Sequence, residues 1–351
     1  MSSPLELARP EIRALKAYDH AAWEPSLERL HANELPWAAS DDGMCEGLNR
    51  YPEPQPRALI ERLAELYDVP PECILAGRGS DEAIDLLSRG FCRAGEDAVI
   101  VCPPTFGMYA IAARIQGADV LRVPLQVAQD FALDEDALLQ RCTSNVKLVF
   151  LCSPNNPTGN LLSEPAVLRI AASLAGRALV VVDEAYVEFA GQPSLARHVA
   201  RLSHLVVLRT LSKAHGLAGA RCGTLIASAE IVSLLRKIIP PYALTQSTIE
   251  TVLRQLEPVR LEPMRVRVAE LGAERAWVAA HLRECAGVVR VWPSQANFVL
   301  VEFHDATSAL AKARAAGLLI RDVRSQPGLE RALRITIGTP EQNRRLLRAL
   351  Q

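Results

Sequence analysis

The chain has 351 residues, enough to bury a large core in roughly two domains. Its 39 Lys and Arg stand against 40 Asp and Glu, so no global basic field directs it to nucleic acid or an anionic membrane. No apolar run reaches the roughly 18 residues of a transmembrane span, and Met1 to Arg13 carries acids and lacks the apolar stretch of a secretory signal. The eight cysteines (45, 73, 92, 102, 142, 152, 222 and 285) form no Cys-x-x-Cys pair, and several sit inside apolar runs, which fits a reducing cytoplasm. The seven histidines include no i, i+4 pair, so no metal site is expected.

Residues 1 to about 45 read as a helix-containing arm that carries Tyr18 and Asn33-Glu34, and Arg50-Tyr51-Pro52 follows. From Ala58 to Tyr67, Leu59, Leu63 and Leu66 share one face, which predicts an amphipathic helix. A short strand, Cys73 to Ala76, then leads into Gly77-Arg78-Gly79-Ser80-Asp81-Glu82. Glycines permit the turn, Ser80 is a fit N-cap, and a helix is predicted from Glu82 to Gly90. The free amides of such a helix start suit a phosphate, whereas Asp81 and Glu82 would repel one; an ordinary capped start is the other reading.

Ala98 to Cys102 predicts a buried strand ending at Pro103-Pro104-Thr105-Phe106-Gly107-Met108-Tyr109, with Phe106 either stacked on a ligand ring or part of the core. Further strands at about 119–123, 148–152, 179–183, 205–209 and 223–227 alternate with helical segments. That alternation predicts an α/β fold with a mostly parallel sheet between helices. The strand Leu148 to Cys152 runs into Ser153-Pro154-Asn155-Asn156-Pro157-Thr158-Gly159, where two prolines fix the backbone around a presented amide. Val180-Val181-Val182-Asp183-Glu184-Ala185-Tyr186 is a strand covered on both faces, with an acid at the end where open α/β sheets bind ligands. Leu205 to Leu208 precedes Thr210-Leu211-Ser212-Lys213-Ala214-His215-Gly216, and Arg221 lies eight residues past the lysine. A desolvated lysine among small residues can attack an aldehyde; taken alone, Lys213 reads more simply as a solvated surface residue.

Pro240-Pro241-Tyr242 breaks the chain near the end of this region. A long amphipathic segment from about 257 reaches Cys285, followed by Val288 to Val291, Asn297 to Val301, a helix through Ala316 and a strand from Leu333 to Ile337. This predicts a smaller α+β domain packed with the amino-terminal arm, giving a division into 46–256 on one side and 1–45 with 257–351 on the other. Arg321 and Arg334 lie between apolar neighbours and need an anion, either a structural carboxylate or a ligand.

A carboxylate, an amide, a phenol and a lysine at successive strand ends match the needs of a pyridine-ring cofactor. The order Asn156, Asp183, Tyr186, Lys213, Arg221 resembles that of fold-type I pyridoxal-phosphate enzymes. From His31-Ala32-Asn33-Glu34 to Arg334-Ile335-Thr336-Ile337-Gly338-Thr339 the chain resembles the histidinol-phosphate aminotransferase family. The resemblance implies pyridoxal 5′-phosphate joined to Lys213 as a Schiff base. Gly79, Ser80, Asp81, Ser212 and Arg221 would surround its phosphate, and Asn156, Asp183 and Tyr186 its ring. Phe106, where relatives often have tyrosine, would stack on that ring. Tyr51 would reach the phosphate from the partner subunit of a homodimer. Tyr18, Asn33, Asn156, Tyr242, Arg321 and Arg334 would meet the substrate. His215 takes a place where the family usually has an aromatic residue and reads as packing. The implied reaction, in histidine biosynthesis, turns histidinol phosphate and 2-oxoglutarate into imidazole-acetol phosphate and glutamate. An aromatic or phenylalanine aminotransferase, a threonine-phosphate decarboxylase-like lyase and a non-enzymatic nucleotide-binding α/β protein are the alternatives.

Overall fold

The computed structural model describes residues 3–24, 26–40 and 46–351; Cys45, with the proposed boundary beside it, lies outside the described residues. The first sheet contains β1 (Ile74–Gly77), β2 (Ala98–Val101), β3 (Asp119–Arg122), β4 (Val146–Cys152), β5 (Leu179–Asp183), β6 (Leu205–Thr210) and β7 (Gly223–Ile226). Their order is β1-β7-β6-β5-β4-β2-β3, with β7 antiparallel to both neighbours and every other pairing parallel. The mostly parallel α/β sheet expected from the strand–helix alternation is therefore present.

Helices cover both faces: α1 (Pro10–Ala14), α2 (Arg57–Tyr67), α3 (Ser80–Phe91), α4 (Met108–Ile115), α5 (Glu135–Arg141), α6 (Glu164–Ser173), α7 (Ala229–Arg236) and α8 (Gln246–Gln255). Side chains alternate along each strand, so neighbouring valines enter opposite layers. Val180 and Val182 of β5 pack with Leu59 and Leu63 of α2 and with Val167 and Ile170 of α6. Val181 packs on the other side with Ile84 and Leu87 of α3 and Ile231 of α7. This two-sided burial is why these strands read as unbroken apolar runs.

The second unit begins with the long helix α9 (Pro258–Arg283) and continues through β8 (Val288–Val291), β9 (Phe298–Phe303), α10 (Ala306–Ala315), β10 (Arg321–Asp322), β11 (Ala332–Thr336) and α11 (Pro340–Leu350). Its four strands pair antiparallel in the order β10-β11-β9-β8 over a core that includes Val278, Val301, Leu333 and Leu347. A capping box between Thr339 and Gln342 starts α11.

The described start of the arm differs from expectation. Leu7 and Ala8 are buried with α3 and α7, and the Arg9 amide donates to the Gly90 carbonyl at 3.1 Å. These residues pack on the large sheet's helical layer rather than on the small sheet. The apolar residues Leu5, Leu7 and Ile12 complete that layer, a tertiary match that local periodicity does not reveal.

Candidate active site

A single cleft opens at the carboxyl ends of β4, β5 and β6, the position where ligands enter open α/β sheets. Asp183 ends β5 and lines the cleft, yet it is only 3% exposed. The Tyr109 hydroxyl donates to its Oδ2 at 2.7 Å, and the Ala185 amide donates to Oδ1 at 3.0 Å. Burial raises its pKa, while these two donors and the Lys213 charge pull it down. Three residues on, Tyr186 meets Phe298 of β9 edge to face, with centroids 5.2 Å apart. Burial pushes its phenol up, so it stays protonated and able to donate.

At the end of β4, two adjacent asparagines do different work. Asn155 is 2% exposed; its Nδ2 donates to the Pro104 carbonyl at 2.8 Å, and its Oδ1 accepts from the Thr105 hydroxyl at 2.8 Å. It is a strut between the ends of β2 and β4. Asn156 faces the cleft, where its Oδ1 accepts from Arg334 Nη1.

The helix start at residue 80 departs from the sequence reading. Gly79 rather than Ser80 is the N-cap, at φ +94°, and no side chain caps the first-turn amides. Ser80 is the first helical residue. A glycine suits this backbone conformation, and a Cβ on Gly79 would come 3.0 Å from Arg221 Nη2. On β7, a Cβ at Gly223 would lie 2.6 Å from the Gly79 backbone, so glycine lets strand and loop touch. Glu82 curls back, its Oε2 accepting from the Arg78 amide at 2.7 Å and its Oε1 meeting the Arg78 guanidinium. Asp81 sits 3.4 Å from Arg221 Nη2. Both acids expected to repel a phosphate are thus matched by arginines.

Lys213 follows β6 with its Nζ 5.6 Å from the centroid of the Tyr186 ring. Desolvation lowers its pKa and the Arg334 charge lowers it further, against the opposing pull of Asp81 and Asp183. The amine is therefore more readily neutral than an ordinary lysine. Ser212 and Arg221 line the same cleft. Arg321 and Arg334 arrive from the second sheet as directly opposed residues of β10 and β11. Arg334 stacks 5.1 Å from the centroid of the Phe298 ring, and its buried Nε has no hydrogen-bond partner. No carboxylate pairs with Arg334 among the described residues.

Of the residues singled out from sequence, Gly79, Ser80, Asp81, Phe106, Asn156, Asp183, Tyr186, Ser212, Lys213, Arg221, Arg321 and Arg334 line this cleft. Tyr18, Asn33, Tyr51 and Tyr242 do not. The arm carries Tyr18 to a separate hollow beside Trp23, Gln55, Arg236 and Pro241. Asn33 occupies a left-handed turn at φ +56° with an exposed side chain. Tyr242 stacks on Tyr51, with centroids 4.4 Å apart. Glu34 anchors that surface, accepting from the Tyr51 amide at 2.7 Å and pairing with Arg29 and Arg50. In their own chain Tyr18, Asn33 and Tyr242 therefore lie outside the lining of the cleft. His215 is 6% exposed, and burial lowers its pKa. Sequence reasoning missed Gln326, which lines the cleft, and Tyr109, whose hydroxyl reaches Asp183 from the first turn of α4.

The donor set fits pyridoxal phosphate. An uncapped helix start and a loosely held Arg221 suit its phosphate, a buried carboxylate suits its ring nitrogen, and a desolvated amine suits its aldehyde. The unpartnered Arg334 Nε leaves a further donor for an anionic substrate.

A family model described as aminotransferase class I and II matches residues 26–350. The chain belongs to the aminotransferase class I and II family. Among its relatives, the histidinol-phosphate aminotransferase of Xanthomonas euvesicatoria pv. vesicatoria (strain 85-10) is 48% identical over 355 residues, covering 100% of this chain and 97% of the relative. A solved histidinol-phosphate aminotransferase from Sinorhizobium meliloti, in complex with pyridoxal-5′-phosphate, superposes at a TM-score of 0.78 with 24% identity, covering 86% of this chain and 82% of that one. The L-threonine-O-3-phosphate decarboxylase from Porphyromonas gingivalis superposes at 0.73 with 26% identity, covering 86% and 92%. Family membership sets aside the non-enzymatic nucleotide-binding alternative.

Proposed function

We propose that this chain is a pyridoxal-phosphate-dependent aminotransferase that exchanges an amino group between histidinol phosphate and 2-oxoglutarate, yielding imidazole-acetol phosphate and glutamate. The observation that carries this reading is one cleft where a desolvated lysine, a buried acid and two arginines of the second sheet converge. When bound, the cofactor's cationic ring accepts the electron pair released at the substrate α-carbon. Asp183 would oppose the ring nitrogen's charge, Tyr186 and Asn156 would donate to the ring oxygen, and Phe106 would cover the ring face. The amides of Gly79 to Asp81, with Ser212 and Arg221, hold the phosphate. Lys213 would hold the cofactor covalently and, once a free amine, would take the proton from the substrate α-carbon and return it as an acid. Arg321 and Arg334 bind the phosphate of one substrate and the carboxylate of the other.

The same reading includes a homodimer in the cytoplasm, with residues 46–256 as the cofactor-binding domain and 257–351 as the smaller one. Tyr51, Trp37 and Leu30 are exposed large side chains, and a second copy covering them would bring Tyr51 toward the neighbouring phosphate. Seven buried cysteines are unpaired, in keeping with a reducing compartment. Among the described residues no helix is long and apolar enough to cross a membrane.

The test compares histidinol phosphate, phenylalanine and threonine phosphate on the cofactor-loaded enzyme with 2-oxoglutarate as acceptor. Histidinol phosphate should lead phenylalanine in kcat/KM by at least about tenfold. Equal use of phenylalanine would reassign the substrate, and release of carbon dioxide from threonine phosphate would reassign the reaction.

A further inference from the structure

We infer that Tyr109 is a positioning residue for the cofactor: its phenol fixes the Asp183 carboxylate in the orientation and charge the ring nitrogen requires. The inference rests on the cofactor site described above and goes beyond it, because Tyr109 does not line the cleft and acts only through its neighbours.

Tyr109 lies in the first turn of α4 and is fully buried. Its ring stacks on Phe150 of β4 with centroids 4.9 Å apart and planes 4° from parallel. On another side Phe106 meets it edge to face at 5.6 Å. Held in this way the ring cannot turn, and its hydroxyl is delivered to Asp183 Oδ2 at 2.7 Å. The second carboxylate oxygen takes the Ala185 amide at 3.0 Å. Each oxygen is therefore tied by one protein donor, and the carboxylate so held lines the cleft. Tyr109 also buttresses Phe106, so one buried phenol touches both the acid and the aromatic that would frame the ring.

Charge gives the contact its consequence. The Asp183 carboxyl is raised first by burial and then by Asp81 of α3; the Tyr109 hydroxyl, the Ala185 amide and Lys213 oppose this. Burial holds the neighbouring Cys152 thiol protonated, so it adds no charge. Burial likewise keeps Tyr109 a phenol, which fixes it as the donor and Asp183 as the acceptor. Removing the hydroxyl leaves a carboxyl that protonates at higher pH, and a protonated carboxyl cannot pair with a cationic ring nitrogen.

The experiment measures pyridoxal phosphate affinity against pH for the full chain freed of cofactor, as wild type, Tyr109→Phe, Asp183→Ala and the double variant. Tyr109→Phe should weaken binding by about tenfold at neutral pH and move the acid limb up by about one unit, each equivalent to about 1.4 kcal/mol. In the Asp183→Ala background the same change should cost nothing further, because the acceptor is gone. An unmoved acid limb, or an equal loss in both backgrounds, would overturn the inference and leave Tyr109 a packing residue whose removal shows only in Tm. A wild type that binds no pyridoxal phosphate would instead sink the functional reading beneath it. Should Tyr109→Phe be recovered unfolded, the wild-type acid limb decides: its persistence in Asp183→Ala would refute the role of the carboxylate through which Tyr109 acts.

Discussion

Arg334→Ala is the substitution with the largest expected effect on substrate binding. Arg334 sits mid-strand between Leu333 and Ile335, both buried, with Nη1 of its guanidinium donating to Asn156 Oδ1 and a buried Nε that lacks a partner. A forked contact to a phosphate or carboxylate supplies two charge-assisted hydrogen bonds, each contributing roughly 1.5–3 kcal/mol. Taking the lower figure for both, because the cleft is open to water, the loss is about 3 kcal/mol, or about 10²-fold in affinity. It should appear in KM for glutamate and for histidinol phosphate alike, since one arginine serves both half-reactions. Arg321 is exposed and screened, so Arg321→Ala should cost about 1 kcal/mol or less and fade with added salt. Lys at position 334 should recover only part of the loss, because an ammonium cannot form the fork. Steady-state kinetics with each substrate at fixed ionic strength measures all of this. An unchanged KM for both substrates, or a loss confined to one of them, would refute the reasoning.

Lys213→Ala should lower transamination by at least about 10²–10⁴-fold while weak cofactor binding through the phosphate and ring contacts survives, as absorbance after gel filtration can show. Capture of pyridoxal phosphate by the cofactor-free enzyme requires a neutral amine, so its rate should rise with pH through a midpoint below the ordinary lysine range; a midpoint at the ordinary value would contradict the desolvated setting of Lys213. Gly223→Ala forces a Cβ to 2.6 Å from the Gly79 backbone, which should cost about 1–3 kcal/mol in unfolding free energy and also weaken the phosphate cradle. Arg321 directly opposes Arg334 across β10 and β11, so Arg321→Gln should raise the Tm of the ligand-free chain and reduce the stabilisation gained from inorganic phosphate. An equal phosphate gain in both proteins would dismiss the repulsion.

The strands were legible because burial on both faces writes continuous apolar runs, and Leu179–Asp183 and Val288–Val291 fall where the pattern places them. Strand β4 begins earlier than its apolar run because Val146 pairs with Ala98 of β2 across the ladder, a partner 48 positions away in the chain and invisible to local pattern. The candidate site residues were legible for a chemical reason, since Asn156, Asp183, Tyr186 and Lys213 each lie at, or within four residues after, the end of β4, β5 or β6. The N-cap, expected at Ser80, falls one residue earlier at Gly79, and the helix starts at Ser80 rather than Glu82, because the closeness of Gly79 to Gly223 and Arg221, not capping propensity, decides the cap. Tyr109 escaped because its hydroxyl meets a residue 74 positions away, and nothing local marks a core tyrosine as a donor. The destinations of Tyr18, Asn33 and Tyr242 depend on how the arm crosses the surface, which propensity does not encode.

The two sheets share a charge problem whose solution links binding to catalysis. Lys213, from the large sheet, owes part of its lowered pKa to Arg334, from the small one. With desolvation, the larger cause, that cation shifts the free amine toward its neutral form, the form that attacks an aldehyde. A substrate phosphate or carboxylate seated on Arg334 cancels much of its field at Lys213. The amine then becomes more basic at the stage when it must hold the α-proton. The gain appears only with an anion on the fork, so a neutral substrate analogue would meet a weaker base as well as a weaker grip. On the proposed function one guanidinium would couple substrate selection to proton transfer, and Arg334 meets Asn156 where the two sheets adjoin.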